Sequence, residues 1–132
     1  MGTGTLMNAL GNAYIAYCFH SVDGFSKFGS YTGNGSADGP FVYTGFRPAF
    51  VMIKRTDSGA SWFMFDSKIN STNIVDNYFA ADLTIAEATF DAQDFVSNGF
   101  KIRSTSPVWN ASGGTYIYMA FAENPFKTAR AR

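Results

Sequence analysis

Charge is scarce in this chain. Ten basic and ten acidic side chains among 132 residues leave no net charge. No broad cationic field exists to hold nucleic acid or an anionic membrane surface, which argues against both as partners. Cysteine is scarcer still: the single Cys18 has no internal disulfide partner. Its position in an apolar run reads as a small buried hydrophobe. The stretch Met1–Leu10 lacks a basic start and an apolar core, so no secretory leader is expected and assembly in a cytosol is. No apolar run approaches the length of a membrane span. Sustained helical spacing with caps is missing too, which argues against any long helix.

What is present points to strands. Hydrophobic residues make up 46 % of the chain against 15 % charged, a balance that excludes disorder. Fourteen phenylalanines, frequent glycine and four prolines fit short strands joined by tight turns. The candidate strands are Ala13–His20, Phe25–Thr32, Phe41–Thr44, Ala49–Arg55, Ser61–Asp66 and Thr115–Ala122. In Ser61–Asp66, Phe63 and Phe65 alternate with Trp62, Met64 and Asp66. Asn98-Gly99 suits a type I′ hairpin turn, after which Phe100 and Ile102 face one side and Lys101 and Arg103 the other. The polar stretch 67–77 reads as a long excursion, and Tyr78–Phe90 as a short strand or single turn. The expected fold is all-β: an antiparallel β-sandwich, jelly-roll-like, behind a short extended N-terminal arm. Its boundaries are an arm at 1–12, the sandwich at 13–126 and a basic tail at 127–132.

One segment occurs twice. Asn8-Ala9-Leu10-Gly11-Asn12-Ala13-Tyr14-Ile15-Ala16-Tyr17-Cys18-Phe19 aligns with Asn110-Ala111-Ser112-Gly113-Gly114-Thr115-Tyr116-Ile117-Tyr118-Met119-Ala120-Phe121 at a constant offset of 102 residues. The shared skeleton is Asn-Ala-x-Gly-x-x-Tyr-Ile-x-x-x-Phe. An offset of one small domain suggests a module that once stood in tandem, with Ala13–His20 as the closing strand of a predecessor. First and last strands are expected side by side.

The run Tyr31-Thr32-Gly33-Asn34-Gly35-Ser36-Ala37-Asp38-Gly39-Pro40-Phe41-Val42, with Gly45-Phe46-Arg47-Pro48-Ala49-Phe50-Val51-Met52-Ile53-Lys54-Arg55, resembles a family of tailed-phage virion proteins. Val75-Asp76-Asn77-Tyr78, Asp94–Lys101 and Asn110–Tyr118 resemble the same family. The resemblance spans about Ala13 to Phe126 and implies a concanavalin-like or laminin-G-like jelly roll. For a lone module it implies a virion structural protein, a decoration or cement protein on the capsid shell. The implied partners are the major capsid protein and further copies of the chain, as a trimer. The implied location is the virion, assembled in the host cytoplasm. Neither nucleic acid nor a membrane is implied. A tail or fibre module binding host carbohydrate is the alternative.

Chemistry-bearing residues are thinly spread. Cys18 and His20 share a strand face, but no oxyanion loop or orienting acid accompanies them, so no catalytic residue is assigned. The glycines of Gly33–Gly39 precede a strand rather than a helix, which removes a phosphate-loop reading and leaves a tight loop of positive-φ glycines. No Asp-x-Asp-x-Asp spacing supports calcium, and nothing selects Asp66 and Glu123 as a glycosidase pair. Neither a metal nor another cofactor is expected. Trp62 and Trp109 are candidates for a sugar-stacking platform, and equally for core or interface anchors. The candidate partner-binding residues are Leu6 and Met7 in the arm, Asn34 and Asp38 in the glycine loop, Arg47, Trp62, Trp109, and Lys127 and Arg130 in the tail. The arm is expected to reach a neighbour by strand addition.

Overall fold

The computed structural model describes residues 9–70 and 72–125. Among the described residues eight strands form the body: β1 (Ser26–Thr32), β2 (Phe41–Tyr43), β3 (Pro48–Arg55), β4 (Trp62–Asp66), β5 (Val75–Ala80), β6 (Ala88–Val96), β7 (Gly99–Ile102) and β8 (Thr115–Ala122). A single helical turn, α1 (Pro107–Asn110), interrupts the connection into β8. The chain is all-β and antiparallel, as its composition requires.

The strand order is β1-β8-β3-β4-β5-β6-β7-β2. β3 to β7 run as a meander. β8 returns to the free side of β3, β1 adds beyond it, and β2 adds to β7. Thus β1 and β2, neighbours in sequence, sit at opposite ends of the order. A flat sheet would hold them about 34 Å apart, at about 4.8 Å per strand spacing. Residues 33–40 join them while folded back on themselves, so the sheet must curl until its edges approach. A cleft of about 290 Å³ separates the edges, lined by Ser26 and Lys27 on one side and Tyr43, Thr44 and Gly45 on the other. The sheet is nearly closed, and its two halves face each other as the layers of a sandwich. Phe100 of β7 meets Tyr31 of β1 and Tyr118 of β8 across the interior, with ring centroids 6.2 and 5.3 Å apart.

Alternation along each strand fills that interior. Val51 and Ile53, Phe63 and Phe65, Phe100 and Ile102, and Tyr116, Tyr118 and Ala120 are all buried. Lys101 and Arg103 lie on the outward phase of β7, as the pattern predicts. The hairpin into β7 differs from expectation. Val96 pairs with Gly99, so Ser97 and Asn98 make the turn rather than Asn98 and Gly99. Gly99 is needed for a different reason: a Cβ there would run into the carbonyl oxygen of Val42 on β2.

Among the described residues the stretch 67–77 is irregular up to residue 74, but β5 begins at Val75, and Tyr78–Phe90 holds the end of β5 and the start of β6. β5 and β6 pair through a shifted register between Val75 and Asn77. Conversely, the expected strand Ala13–His20 joins no ladder, and residues 10–21 are exposed throughout. The place beside β8 that it was expected to hold is filled by β1. Cys18 is therefore exposed rather than buried.

Loop closure depends on Asn110, which is fully buried. Its Oδ1 accepts from the Asn34 amide at 2.8 Å. Its Nδ2 donates to the carbonyls of Ser36 and Ser104, each at 2.7 Å, and to Asn34 Oδ1 at 3.1 Å. The Asn110 carbonyl accepts from the Gly35 amide at 2.9 Å. Loop 33–40 is thereby bound to the α1 turn. The glycines of that loop serve this closeness: Gly35 alone among its three takes positive φ, at 70°. Gly33 and Gly39 instead leave room where a Cβ would strike Ala111 and Ile102.

Trp109 takes the core alternative, which corrects its assignment as a partner-binding residue. It is 2 % exposed and packs edge-on against Phe63 and Phe65, so it is a core residue and forms no surface platform with Trp62. Pro107 at the first helical position starts the turn that swings it inward.

Two substitutions test this account. Asn110→Ala takes a partner from four buried or half-buried polar groups; Asn34 Oδ1 keeps the Ser36 amide, and each of the other three left orphaned costs about 1–3 kcal/mol. The expected loss is about 3 kcal/mol, read from urea unfolding. Gln93 is fully buried, and neither polar atom of its side chain has a hydrogen-bond partner among the described residues. Gln93→Met should therefore stabilise the protein, by about 1 kcal/mol. A loss of stability would show that the carboxamide is satisfied.

Candidate functional site

The curled sheet has an inner face, which is the core, and an outer face that is also apolar. The outward phase of four strand pairings builds one continuous row. Phe28 of β1 lies opposite Met119 of β8, Met119 opposite Met52 of β3, Met52 opposite Met64 of β4, and Met64 opposite Phe79 of β5. A flanking row carries Ile117, Lys54 and Trp62; the other carries Phe121, Phe50 and Asp66. Phe121 is the hub of an aromatic cluster, with Phe25, Phe28 and Phe50 at 6.0 to 6.2 Å. The outward positions of a strand exposed to water are ordinarily polar. Here the face has one base, one acid and a broad apolar field.

The N-terminal segment covers part of this face. The Phe19 ring stacks on Phe28 at 5.4 Å. Tyr17 and Phe19 then overhang a groove of about 420 Å³ floored by Gly29, Met52, Ile117 and Met119, with Trp62 at its end. Trp62 is 37 % exposed, and the Lys54 ammonium sits over its ring at 5.7 Å. The Trp62 amide donates to Asp82 at 3.0 Å, and this bond is the main reason the Asp82 carboxyl lies below its usual range. Exposure along the segment stays high, at 82 % for Tyr17 and 83 % for Ile15. The cover is thus incomplete.

The other residues singled out from the sequence do not gather here. Asn34 and Asp38 are exposed but hold the glycine loop together. Asn34 Nδ2 donates to the Asp38 carbonyl at 2.9 Å, and Asp38 pairs with Lys101 at 2.7 Å. The Lys101 hydrogen bond and charge keep the Asp38 carboxyl below its usual range. Arg47 pairs with Glu123 at 3.0 Å and donates to the Phe95 carbonyl at 2.8 Å, tying the end of β8 to β6. Leu6, Met7, Lys127 and Arg130 lie outside the described residues. Of the named candidates among the described residues, only Trp62 belongs to the apolar outer face. The phenylalanines and methionines beside it escaped sequence reasoning because an apolar residue in a strand is ordinarily assigned to the core.

No cluster of three or more His, Cys, Asp or Glu side chains suited to a metal ion occurs among the described residues. Nor is any helix among them long and apolar enough to cross a membrane. Burial raises the phenol of Tyr31 well above its ordinary range, and raises those of Tyr116 and Tyr118. The Tyr31 and Tyr116 hydroxyls serve structure, donating to the carbonyls of Trp109 and Pro107 at 2.8 Å each.

The class this geometry defines is an all-β antiparallel sandwich with an apolar outer sheet face. The chain matches, over residues 1–125, the family described as Domain of unknown function (DUF7483), and it belongs to that family. No curated protein and no solved structure matches it.

If the outer face is open to ligands, Met52→Glu and Ile117→Glu should each reduce the fluorescence of a bound hydrophobic dye while changing stability by no more than about 1 kcal/mol. Unchanged dye binding in both variants would mean the face is already closed.

Proposed function

We propose that this protein is a structural component of a tailed-phage virion. In this reading it decorates the assembled head as a trimer at junctions between capsomers and reinforces the shell. The observation that carries the reading is the apolar row from Phe28 to Phe79, an outward sheet face built for contact with protein. Exposed apolar patches of this kind mark interaction surfaces. The resemblance of the Tyr31–Val42 and Gly45–Arg55 strings to phage virion proteins supplies the partner, the major capsid protein. A ligand that binds only the intact lattice stabilises that lattice by mass action, with no chemical step. The role is therefore non-catalytic, and the location is the virion.

The carbohydrate alternative has weaker support. Its platform needed two surface tryptophans, and Trp109 is in the core. Trp62 alone, with Lys54 over its ring, is a narrow base for sugar stacking.

The test is localisation on particles. Gold-labelled protein added to phage heads should appear on the shell in electron micrographs, and Met52→Glu should lower its occupancy. Label confined to tail fibres, together with selective binding on a glycan array, would replace this reading with the adhesion reading.

A further inference from the structure

The repeated skeleton is repeated in three dimensions. Gly113 has φ of 74°, and Gly11, 102 residues earlier, has φ of 84°. The Gly114 amide donates to the Ala111 carbonyl at 3.0 Å, and the Asn12 amide to the Ala9 carbonyl at 3.3 Å. The Ala111 amide donates to the Tyr116 hydroxyl at 2.7 Å, and the Ala9 amide to the Tyr14 hydroxyl at 2.9 Å. At residues 111–116 these three features form a hook that delivers the chain into β8. At residues 9–14 the same hook delivers it into a segment that joins no ladder. The positive-φ glycine and the tyrosine reaching back five residues together separate it from an ordinary turn.

We infer that residues 9–19 are a second β8 strand. Their docking site is the slot between β1 and β3 of another module of this fold that lacks its own β8. Strand addition there supplies main-chain hydrogen bonds on both sides, with side chains setting specificity. By the constant offset, Tyr14 takes the inward place of Tyr116 and Cys18 that of Ala120, which is fully buried. Ile15, Tyr17 and Phe19 take the outward places of Ile117, Met119 and Phe121. Asn8, outside the described residues, holds the sequence position of Asn110, whose carboxamide pins loop 33–40.

The chain's own slot is taken by β8, and one substitution explains why β8 wins it. Tyr118 lies over Gly29 and against Phe100, and a Cβ on Gly29 would sit 2.9 Å from the Tyr118 hydroxyl. The segment offers Ala16 at that place and would leave a void. Its natural acceptor therefore carries a larger side chain where this module has Gly29.

A peptide of residues 8–20 tests the inference, because Cys18 reports its own burial. The acceptor is the full-length chain carrying Ala120→Asp to expel β8, Gly11→Val to disable its own hook, and Cys18→Ser to silence its thiol. With acceptor in excess, alkylation of the peptide thiol should slow by about tenfold or more, since a buried thiol is shielded from reagent. The peptide bearing Ala16→Tyr should be protected at lower acceptor concentration. A second acceptor, with Tyr118→Ala in place of Ala120→Asp, retains a loosened β8 and should protect the peptide more weakly. Unslowed alkylation with both acceptors would overturn the inference. So would equal protection by a chain changed only at Cys18→Ser, whose slot is full.

Discussion

The carboxamide of Asn110 is the constraint on which the rest of this structure depends. β1 and β2 lie at opposite ends of the strand order, and a sheet of this width closes only if the loop between them is held short. Asn110 holds it, giving one acceptor and two donors to backbone and side-chain groups of residues 34, 36 and 104. In a buried site such bonds are strong, and any group left over is costly, so the arrangement is complete or it fails. Asn110 sits at the end of the turn that also buries Trp109. The tryptophan anchors one sheet half while the asparagine anchors the connection to the other, and closure and core packing become one event.

Glycine has the complementary part. Asn110 can reach loop 33–40 because Gly33 and Gly39 present bare backbone to residues 110–111 and 102. Gly99 does the same for β2 and β7. These are close approaches rather than left-handed turns, and they explain why so much glycine lies in a chain with so compact a core. The inference from Asn98-Gly99 to a type I′ turn failed on this distinction. The dipeptide is a strong local signal, but the glycine was fixed by a neighbouring strand 57 residues earlier in the chain.

Legibility followed the same division between local and relational. β3, β4, β7 and β8 could be read from the sequence because alternating or continuous apolar residues announce a buried face. β5 and β6 could be read only in part, since Asp76, Asn77 and Gln93 interrupt the pattern and their register shifts midway. For Trp109 the sequence left core and surface places open, because nothing in a Ser/Pro-rich loop reveals that a one-turn helix aims it inward. The outer face was hidden for the opposite reason: methionine and phenylalanine on both phases of a strand look the same as a fully buried strand. Of the site residues named from sequence that are among the described residues, Trp62 alone belongs to that face. Asn34, Asp38 and Arg47 are engaged in bonds within the fold, which composition cannot disclose.

Ala13–His20 shows what a sequence can and cannot specify. Its composition, its hook and its tyrosine all match those of β8, so every local requirement of a strand is met. A strand nonetheless exists only as a partner in a ladder, and the one place suited to this segment is occupied by a better-fitting copy. Tyr118 fills the space over Gly29; Ala16 would not. The segment therefore rests Phe19 on the outer face and leaves Ile15 and Tyr17 in water. A fold that keeps a strand-like segment outside its sheet, beside an apolar face that the segment covers only in part, has two incomplete contacts pointing the same way. Contact with another protein surface would satisfy both, in keeping with the function proposed above. That convergence, rather than either feature alone, is the physical case for reading this module as a part of an assembly.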